Sequence, residues 1–254
     1  MKTARLSEAV LAILSTASIE GDCVKMTCGQ LDRKLYQDVN KALEALGGKW
    51  NRKAQGHVFA SDPSKKIDNA ILTGEVTPPS KNGYFPTPKA IVLKLIELAD
   101  IQKGHLVLEP SAGRGNISTE LHHRGAVVYA CELLPENRKA LLAEDMPPIN
   151  LHAEPDFLKV SWPTWFDRVV MNPPFEKQAD IDHVLHAFGM LKPGGRLVSV
   201  MSAGVTFRED RKARGFRDFV ELDGGHIVPL PEGSFKESGT GVNTCIVVLP
   251  KGAT

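Results

Sequence analysis

His105-Leu106-Val107-Leu108-Glu109-Pro110-Ser111-Ala112-Gly113-Arg114-Gly115-Asn116 is the stretch that decides the fold. An apolar run of strand length passes into a loop with two glycines, and a helix begins beyond it. Glycines at such a junction let the backbone approach a ligand closely. Glu132 closes the next strand, twenty-three residues after Glu109. A nucleotide-binding sheet places a carboxylate there for ribose hydroxyls. The loop is not the GxGxxG of dinucleotide enzymes. Taken by itself, the stretch also reads as a plain strand–helix turn followed by a surface Glu.

Working outward, strands are expected over residues 105–109, 126–132, 149–152, 168–171 and 196–201. Helices fit between them, for example over 135–144 and 181–191. Strand and helix alternating at this spacing predict a parallel sheet covered on both faces. Two last strands, over 226–230 and 243–249, have no helix between them and predict an antiparallel hairpin at the sheet edge. The fourth strand ends in Asn172-Pro173-Pro174-Phe175. Two prolines after a buried strand stop the ladder and fix the backbone at the edge where open α/β folds bind ligands. Asn offers both an acceptor and a donor, and Phe offers a stacking face.

These motifs resemble those of class I S-adenosylmethionine-dependent methyltransferases, and most of all their adenine-N6 branch. In that family a (D/N/S)-P-P-(Y/F/W) tetrad follows strand four and an E-P-x-x-G-x-G-like loop follows strand one. Two further matches are Gly83-Tyr84-Phe85-Pro86-Thr87-Pro88 before the first helix of the sheet, and Gly233-Ser234-Phe235-Lys236 followed by Gly239-Thr240-Gly241-Val242 in the last hairpin. The resemblance covers roughly residues 82–250. It implies a Rossmann-like, mostly parallel sheet and S-adenosyl-L-methionine as cofactor. Phe85 and Thr87 would lie at the cofactor's methionine end, with Glu109, Ala112, Gly113 and Gly115 beneath it. Glu132 would hold the ribose, Leu133 would pack on the adenine, Asp156 would meet its amino group and Phe157 would flank the ring. Asn172, Pro173, Pro174 and Phe175 would form the catalytic mouth, Asn172 also touching the cofactor. Phe175, Phe235 and Lys236 would contact the substrate. A cofactor carrying an activated methyl group supplies the reactivity, so no general base with a tuned pKa is required.

Before this region the composition differs. Thr77-Pro78-Pro79-Ser80-Lys81-Asn82-Gly83 has linker character and divides a small domain, 1–80, from a catalytic domain, 81–254. In the small domain, helices are expected over 6–16, 30–46 and 64–72, with Gly47-Gly48 ending the second. A hairpin joins 49–53 to 57–59. Lys49, Arg52, Lys53, Lys65 and Lys66 surround Trp50, in an arrangement that loosely resembles a winged helix. It is read either as a nucleic-acid contact, with Lys49, Arg52 and Lys53 touching substrate, or as the charged surface of a packing domain. The cluster Arg208, Arg211, Lys212, Arg214 and Arg217 is similarly open, to a phosphate-contacting face or a solvated helix.

The chain is 42% hydrophobic and 24% charged, with a net charge of +1. That is enough for one full core and a small second unit, without global basicity. Cys23, Cys28, Cys131 and Cys245 form no paired CxxC modules, and His122-His123 and His183 with His186 lack a matching carboxylate set, so no metal site is expected. Leu6, Val10, Ile13 and Leu14 repeat at helical spacing behind Lys2 and Arg5, and Glu8 interrupts the run, so this is read as an amphipathic helix and not a signal. No membrane span is expected, and a cytoplasmic setting is.

The expected activity is adenine-N6 methylation of a flipped base in double-stranded DNA. Only twenty residues separate Phe175 from the fifth strand. No target-recognition insert is expected, and so neither is strong sequence selectivity. Methylation of an RNA adenine or guanine amino group, methylation of protein glutamine, and a non-catalytic nucleic-acid-binding module are the competing readings. The oligomeric state is left open.

Overall fold

Two sheets organise the computed structural model, which describes residues 5–76, 85–238 and 240–253. The expected linker at 77–83, together with Lys2, Tyr84 and Gly239, lies outside the described residues.

The N-terminal unit begins with α1 (Glu8–Thr16), where the Ser7 hydroxyl accepts the Val10 N–H at 3.4 Å. α2 (Arg33–Ala45) starts three residues later than expected, because Asp32 caps it. Its carboxylate accepts the Lys34 and Leu35 N–H groups at 2.9 and 3.0 Å. Gly48 permits the exit from α2, since a Cβ there would strike the Phe59 ring. The expected hairpin forms as β3 (Lys49–Asn51) and β4 (Gly56–Val58), followed by α3 (Ser64–Thr73). A second hairpin, β1 (Ser18–Glu20) and β2 (Cys23–Lys25), adds to it, and the result is a four-stranded antiparallel sheet in the order β1-β2-β4-β3 instead of a lone wing. Strands of three residues carry too little alternation to be read from sequence. Val10, Leu14, Val39, Leu43, Phe59 and Ile67 fill the core of this unit.

The larger sheet follows α4 (Lys89–Ala99). Its elements are β5 (Leu106–Glu109), α5 (Asn116–His123), β6 (Val127–Ala130), α6 (Pro135–Leu141), β7 (Asn150–Leu151), β8 (Phe166–Met171), α7 (Ala179–Phe188), β9 (Leu191–Ser202), α8 (Gly204–Phe207), α9 (Arg211–Leu222), β10 (His226–Pro229) and β11 (Thr244–Pro250). The strand order is β10-β11-β9-β8-β5-β6-β7. β7, β6, β5, β8 and β9 run parallel, and β11 lies antiparallel between β9 and β10. The expected hairpin is therefore present at the sheet edge. Val169, Val170 and Met171 of β8 are all buried, as a central strand covered on both faces requires.

From β5 the chain first builds outward through β6 and β7, then returns to the other side of β5 as β8. That reversal opens a crevice at the C-terminal ends of β5 and β8, which is where an open sheet of this kind binds its ligand. One core layer packs β8 and β9 against α7 and α9, with Phe188 edge-on to Phe219 at 5.2 Å. The other packs α4 and α5 on the opposite face. α7 stops at Phe188, three residues short of the expected end, because Leu191 pairs with Phe166 and starts β9 early. The register then shifts across 192–195, where the chain reads Lys-Pro-Gly-Gly.

Candidate active site

Glu109 ends β5 and is 1% exposed. Its carboxyl accepts the Ser118 hydroxyl of α5, and burial pushes its pKa up to about 8. The side chain thus ties α5 to the end of β5 beneath the loop. Gly113 and Gly115 hold φ of 57° and 89°, the left-handed region that favours glycine. A Cβ on Gly115 would collide with the Met146 methyl group. Ala112 is buried, and its N–H bonds the Cys131 carbonyl at 3.0 Å.

Glu132 follows β6. One carboxylate oxygen accepts the Gly113 N–H at 2.7 Å, and the other accepts the Leu134 N–H at 2.8 Å and the Asn137 amide at 3.4 Å. A carboxylate has about four acceptor positions, so Glu132 holds the glycine loop and retains capacity for a hydroxyl. Leu133 beside it is 61% exposed. It shares a surface cleft of about 740 Å³ with Pro155, the neighbour of Asp156. Asp156 accepts the Leu158 N–H at 3.2 Å and pairs with Lys159 at 3.2 Å.

Phe157 corrects an expectation. It is buried among α7 residues, with its ring against His183 and His186, and has almost no free face to flank an adenine. Leu133 and Leu142 are exposed apolar side chains that line the cleft at this end. The two histidines bond the Ala179 and Val160 carbonyls, each at 2.8 Å, so packing and backbone contacts use them.

Across the crevice, Thr87 is buried and Asn172 follows β8. Asn172 Nδ2 donates to Thr87 Oγ1 at 3.0 Å and, at the long limit of 3.5 Å, to the Phe85 carbonyl. A carbonyl only accepts, so the nitrogen must face Phe85 and Thr87. Asn172 Oδ1 is buried with no partner. Pro173 is buried, Pro174 is exposed, and Phe175 is half-buried against the α4 face of the core. The chain then turns through a short 3-10 segment, Glu176–Gln178, with Lys177 and Gln178 at φ of 53° and 59°.

Two residues unmarked in the sequence complete the frame. Asn116 Nδ2 donates to the Thr87 carbonyl at 2.9 Å, joining the glycine loop to the segment that holds Asn172. The Ser238 hydroxyl donates to the Pro86 carbonyl at 2.6 Å and brings the loop before β11 to the same place. Pairings across such sequence distances have no local signal; the position of Asn116 just after the glycine loop is the nearest thing to one.

Phe235 is a second correction. It is 1% exposed and packs in the core beside Leu230 and Val200, so it anchors its loop and presents nothing to a substrate. Lys236 is exposed in the 3-10 turn that follows. Lys49, Arg52 and Lys53 are exposed on β3 and its turn, beside Trp50, which is 48% exposed and edge-on to His57 at 5.3 Å. The second basic cluster lies largely on α9, a helix capped by Asp210. Arg208 is buried, Arg217 bonds the Val205 and Arg208 carbonyls, and Lys212 pairs with Asp182 at 2.6 Å, so much of this charge is used internally. Among the described residues, no group of three metal-ligating side chains occurs and no helix is long and apolar enough to cross a membrane.

The groups present fit a nucleoside cofactor with a charged sulfonium. A carboxylate with spare acceptor capacity ends β6, the glycine loop beside it holds left-handed backbone at Gly113 and Gly115, and a buried orphan oxygen sits at the mouth.

Residues 164–254 match the family model described as N-6 DNA Methylase. A probable ribosomal RNA small subunit methyltransferase A from Pyrococcus furiosus is 31% identical over 93 residues, covering 36% of this chain and 33% of that protein. The chain thus spans about a third of the length of the curated relatives it matches. Among solved structures, a type I restriction-modification methyltransferase subunit from Streptococcus thermophilus matches with TM-score 0.56 and 22% identity, over 75% of this chain and 48% of that one. A dimethyladenosine transferase from Plasmodium falciparum matches with TM-score 0.50 and 21% identity, over 66% and 64%. At such identities the structural likeness establishes the fold. The chain therefore has the class I S-adenosylmethionine-dependent methyltransferase fold, and over residues 164–254 it matches the N-6 DNA methylase family.

Proposed function

We propose that this protein methylates the exocyclic N6 amino group of adenine in double-stranded DNA, using S-adenosyl-L-methionine, in the cytoplasm. The observation that carries the reading is Asn172 Oδ1, a buried acceptor without a partner, held in that orientation beside Phe175. A buried oxygen of this kind is costly unless a ligand supplies the donor. An adenine amino group supplies two.

The cofactor, when bound, supplies an activated methyl group on a sulfonium. Glu132 would hold its ribose, Leu133 and Asp156 its adenine, and the 85–88 segment with the glycine loop its other end. Asn172 Oδ1 and the Pro173 carbonyl would accept the two amino hydrogens of the substrate adenine. That draws the nitrogen lone pair out of conjugation with the ring and aims it at the methyl group. Phe175 would stack on the base, which must leave the duplex to reach it. Lys49, Arg52, Lys53 and Lys236 would contribute phosphate contacts. The small N-terminal unit would then supply affinity, and the compact core little sequence selectivity.

A second reading is methylation of an adenine or guanine amino group in RNA, with ribosomal RNA favoured by the 31% identity to the Pyrococcus furiosus protein. Labelled cofactor incubated with duplex DNA of varied sequence, structured RNA and protein, followed by mass spectrometry of the products, separates the readings. N6-methyladenine in DNA is expected. Label confined to RNA would replace the first reading with the second, and label in glutamine would remove both.

A further inference from the structure

We propose that the N-terminal unit forms one wall of the target-base cleft, with helix α3 and its contact to Phe207 positioning the turn that follows the Asn172-Pro173-Pro174-Phe175 tetrad. This rests on the methyltransferase reading above and goes beyond it, since that reading needs the N-terminal unit only for affinity.

The turn after the tetrad is the part of the site that its own sequence supports least. Lys177 and Gln178 are consecutive non-glycine residues in the left-handed region, where a Cβ is disfavoured. Such backbone persists only when its surroundings over-determine it. Within the turn, the Gln178 N–H bonds the Phe175 carbonyl at 3.1 Å. From outside, Gln178 Nε2 donates to Asp210, the cap of α9, at 3.3 Å. Helix α3 of the N-terminal unit packs directly on Glu176–Gln178. Asp62 and Asp68 place their negative charge near Lys177.

The same helix is joined to the next loop of the cleft. The Leu72 carbonyl accepts the Asn243 N–H at 3.2 Å, and the Asn243 carbonyl accepts the Ala203 N–H, just after β9, at 2.8 Å. Phe207 of α8 packs into the N-terminal core. Arg208, only 6% exposed, is the cation toward which the elements converge. Asp68 of α3, Asp210 at the start of α9 and Asp180 at the start of α7 all attract it. Asp180 in turn accepts the Ser202 N–H of β9 at 3.0 Å. The turn after the tetrad and the loop before β11 are thus held by α3, and the loop after β9 is held through Asn243 and Asp180. A unit that served only as a tethered DNA anchor would need none of these contacts.

The test uses the full chain with Asp68→Ala, Asp68→Asn and Phe207→Leu. Methylation is measured on an adenine-containing single strand of about six nucleotides, within the size one binding groove spans, and on a long duplex. Thermal unfolding and cofactor calorimetry establish that each variant is folded and binds S-adenosylmethionine. A 2-aminopurine at the target position reports seating of the base. The expected result is kcat reduced about tenfold on both substrates, with KM and cofactor affinity within about threefold, and weaker 2-aminopurine fluorescence enhancement. Loss in KM alone, or kcat within twofold of the parent in folded variants, would overturn the proposal while leaving the methyltransferase reading intact. A parent protein that methylates no nucleic acid would overturn both.

Discussion

Thr87 Oγ1 accepts a 3.0 Å hydrogen bond from Asn172 Nδ2 across 85 residues of sequence, and the Phe85 carbonyl beside it, which can only accept, sets which end of the amide is left for a substrate. With Nδ2 committed, Oδ1 is the free acceptor. Thr87→Val keeps the shape and removes the shorter of the two hydrogen bonds, leaving the amide held only by the long bond to the Phe85 carbonyl. We expect kcat to fall about 10–100-fold with cofactor affinity little changed, and Thr87→Ser to recover most of it. Asn172→Ala should abolish transfer. Single-turnover kinetics check both, and full activity in Thr87→Val would remove the hydroxyl from the mechanism.

Glu132 joins the glycine loop to the end of β6 through the Gly113 N–H at 2.7 Å. Glu132→Ala removes the acceptor for ribose hydroxyls and leaves that N–H without its partner. Cofactor affinity should drop at least about tenfold, and stability should fall by about 1–3 kcal/mol. Calorimetry with S-adenosylmethionine and urea unfolding measure the two effects separately.

Glu109 makes stability depend on pH. Its folded pKa of about 8 lies above its ordinary value of 4.5 because burial disfavours the charge. Between those values the folded chain keeps a proton that the unfolded chain has released. The contribution of this group is therefore fully present below pH 4.5 and is lost as pH rises to about 8. Glu109→Gln still accepts from Ser118 but does not titrate. Its stability relative to the parent should rise with pH, by up to about 1.4 kcal/mol per unit, through this window. Urea unfolding at about pH 5, 6.5 and 8 tests this; a constant difference would contradict it. Asp180, whose pKa burial raises to about 6, titrates in both proteins and cancels from the comparison.

Phe235 is an anchor, and its removal should be felt in folding first. Phe235→Ala deletes a fully buried ring and should cost about 3–5 kcal/mol, with Phe235→Leu recovering much of it. Denaturant midpoints decide. A loss of activity with no loss of stability would return Phe235 to the substrate face.

The exposed hairpin residues Lys49, Arg52 and Lys53 should act through phosphate charge. Replacing all three with Ala should weaken duplex binding and flatten the salt dependence of log K by up to about 0.9 for each phosphate no longer neutralised. Fluorescence anisotropy across a salt series measures the slope, and an unchanged slope would assign the hairpin to packing.

Much of this protein is legible locally. The apolar run into the glycine loop, the acidic end of β6 and the prolines after β8 each announce themselves within a dozen residues, because strand burial, left-handed glycines and proline stops are local constraints. They determine a parallel sheet, its edge hairpin, and which residues stand at its C-terminal end. What they leave open is orientation and company. Phe157 and Phe235 looked like ring-flanking and base-contacting residues, yet both point into the core, since a loop's facing depends on what packs beneath it. The amide of Asn172 could have turned either way until Thr87 and the Phe85 carbonyl met it. Arg208 could have been one more surface cation until the packed fold buried it near the carboxylates of Asp68, Asp180 and Asp210. The sequence by itself determined the sheet and the chemistry available at its edge. Only tertiary structure decided which atoms face the cleft, because burial and pairing across scores of residues are set by the packed whole and not by neighbours in the chain.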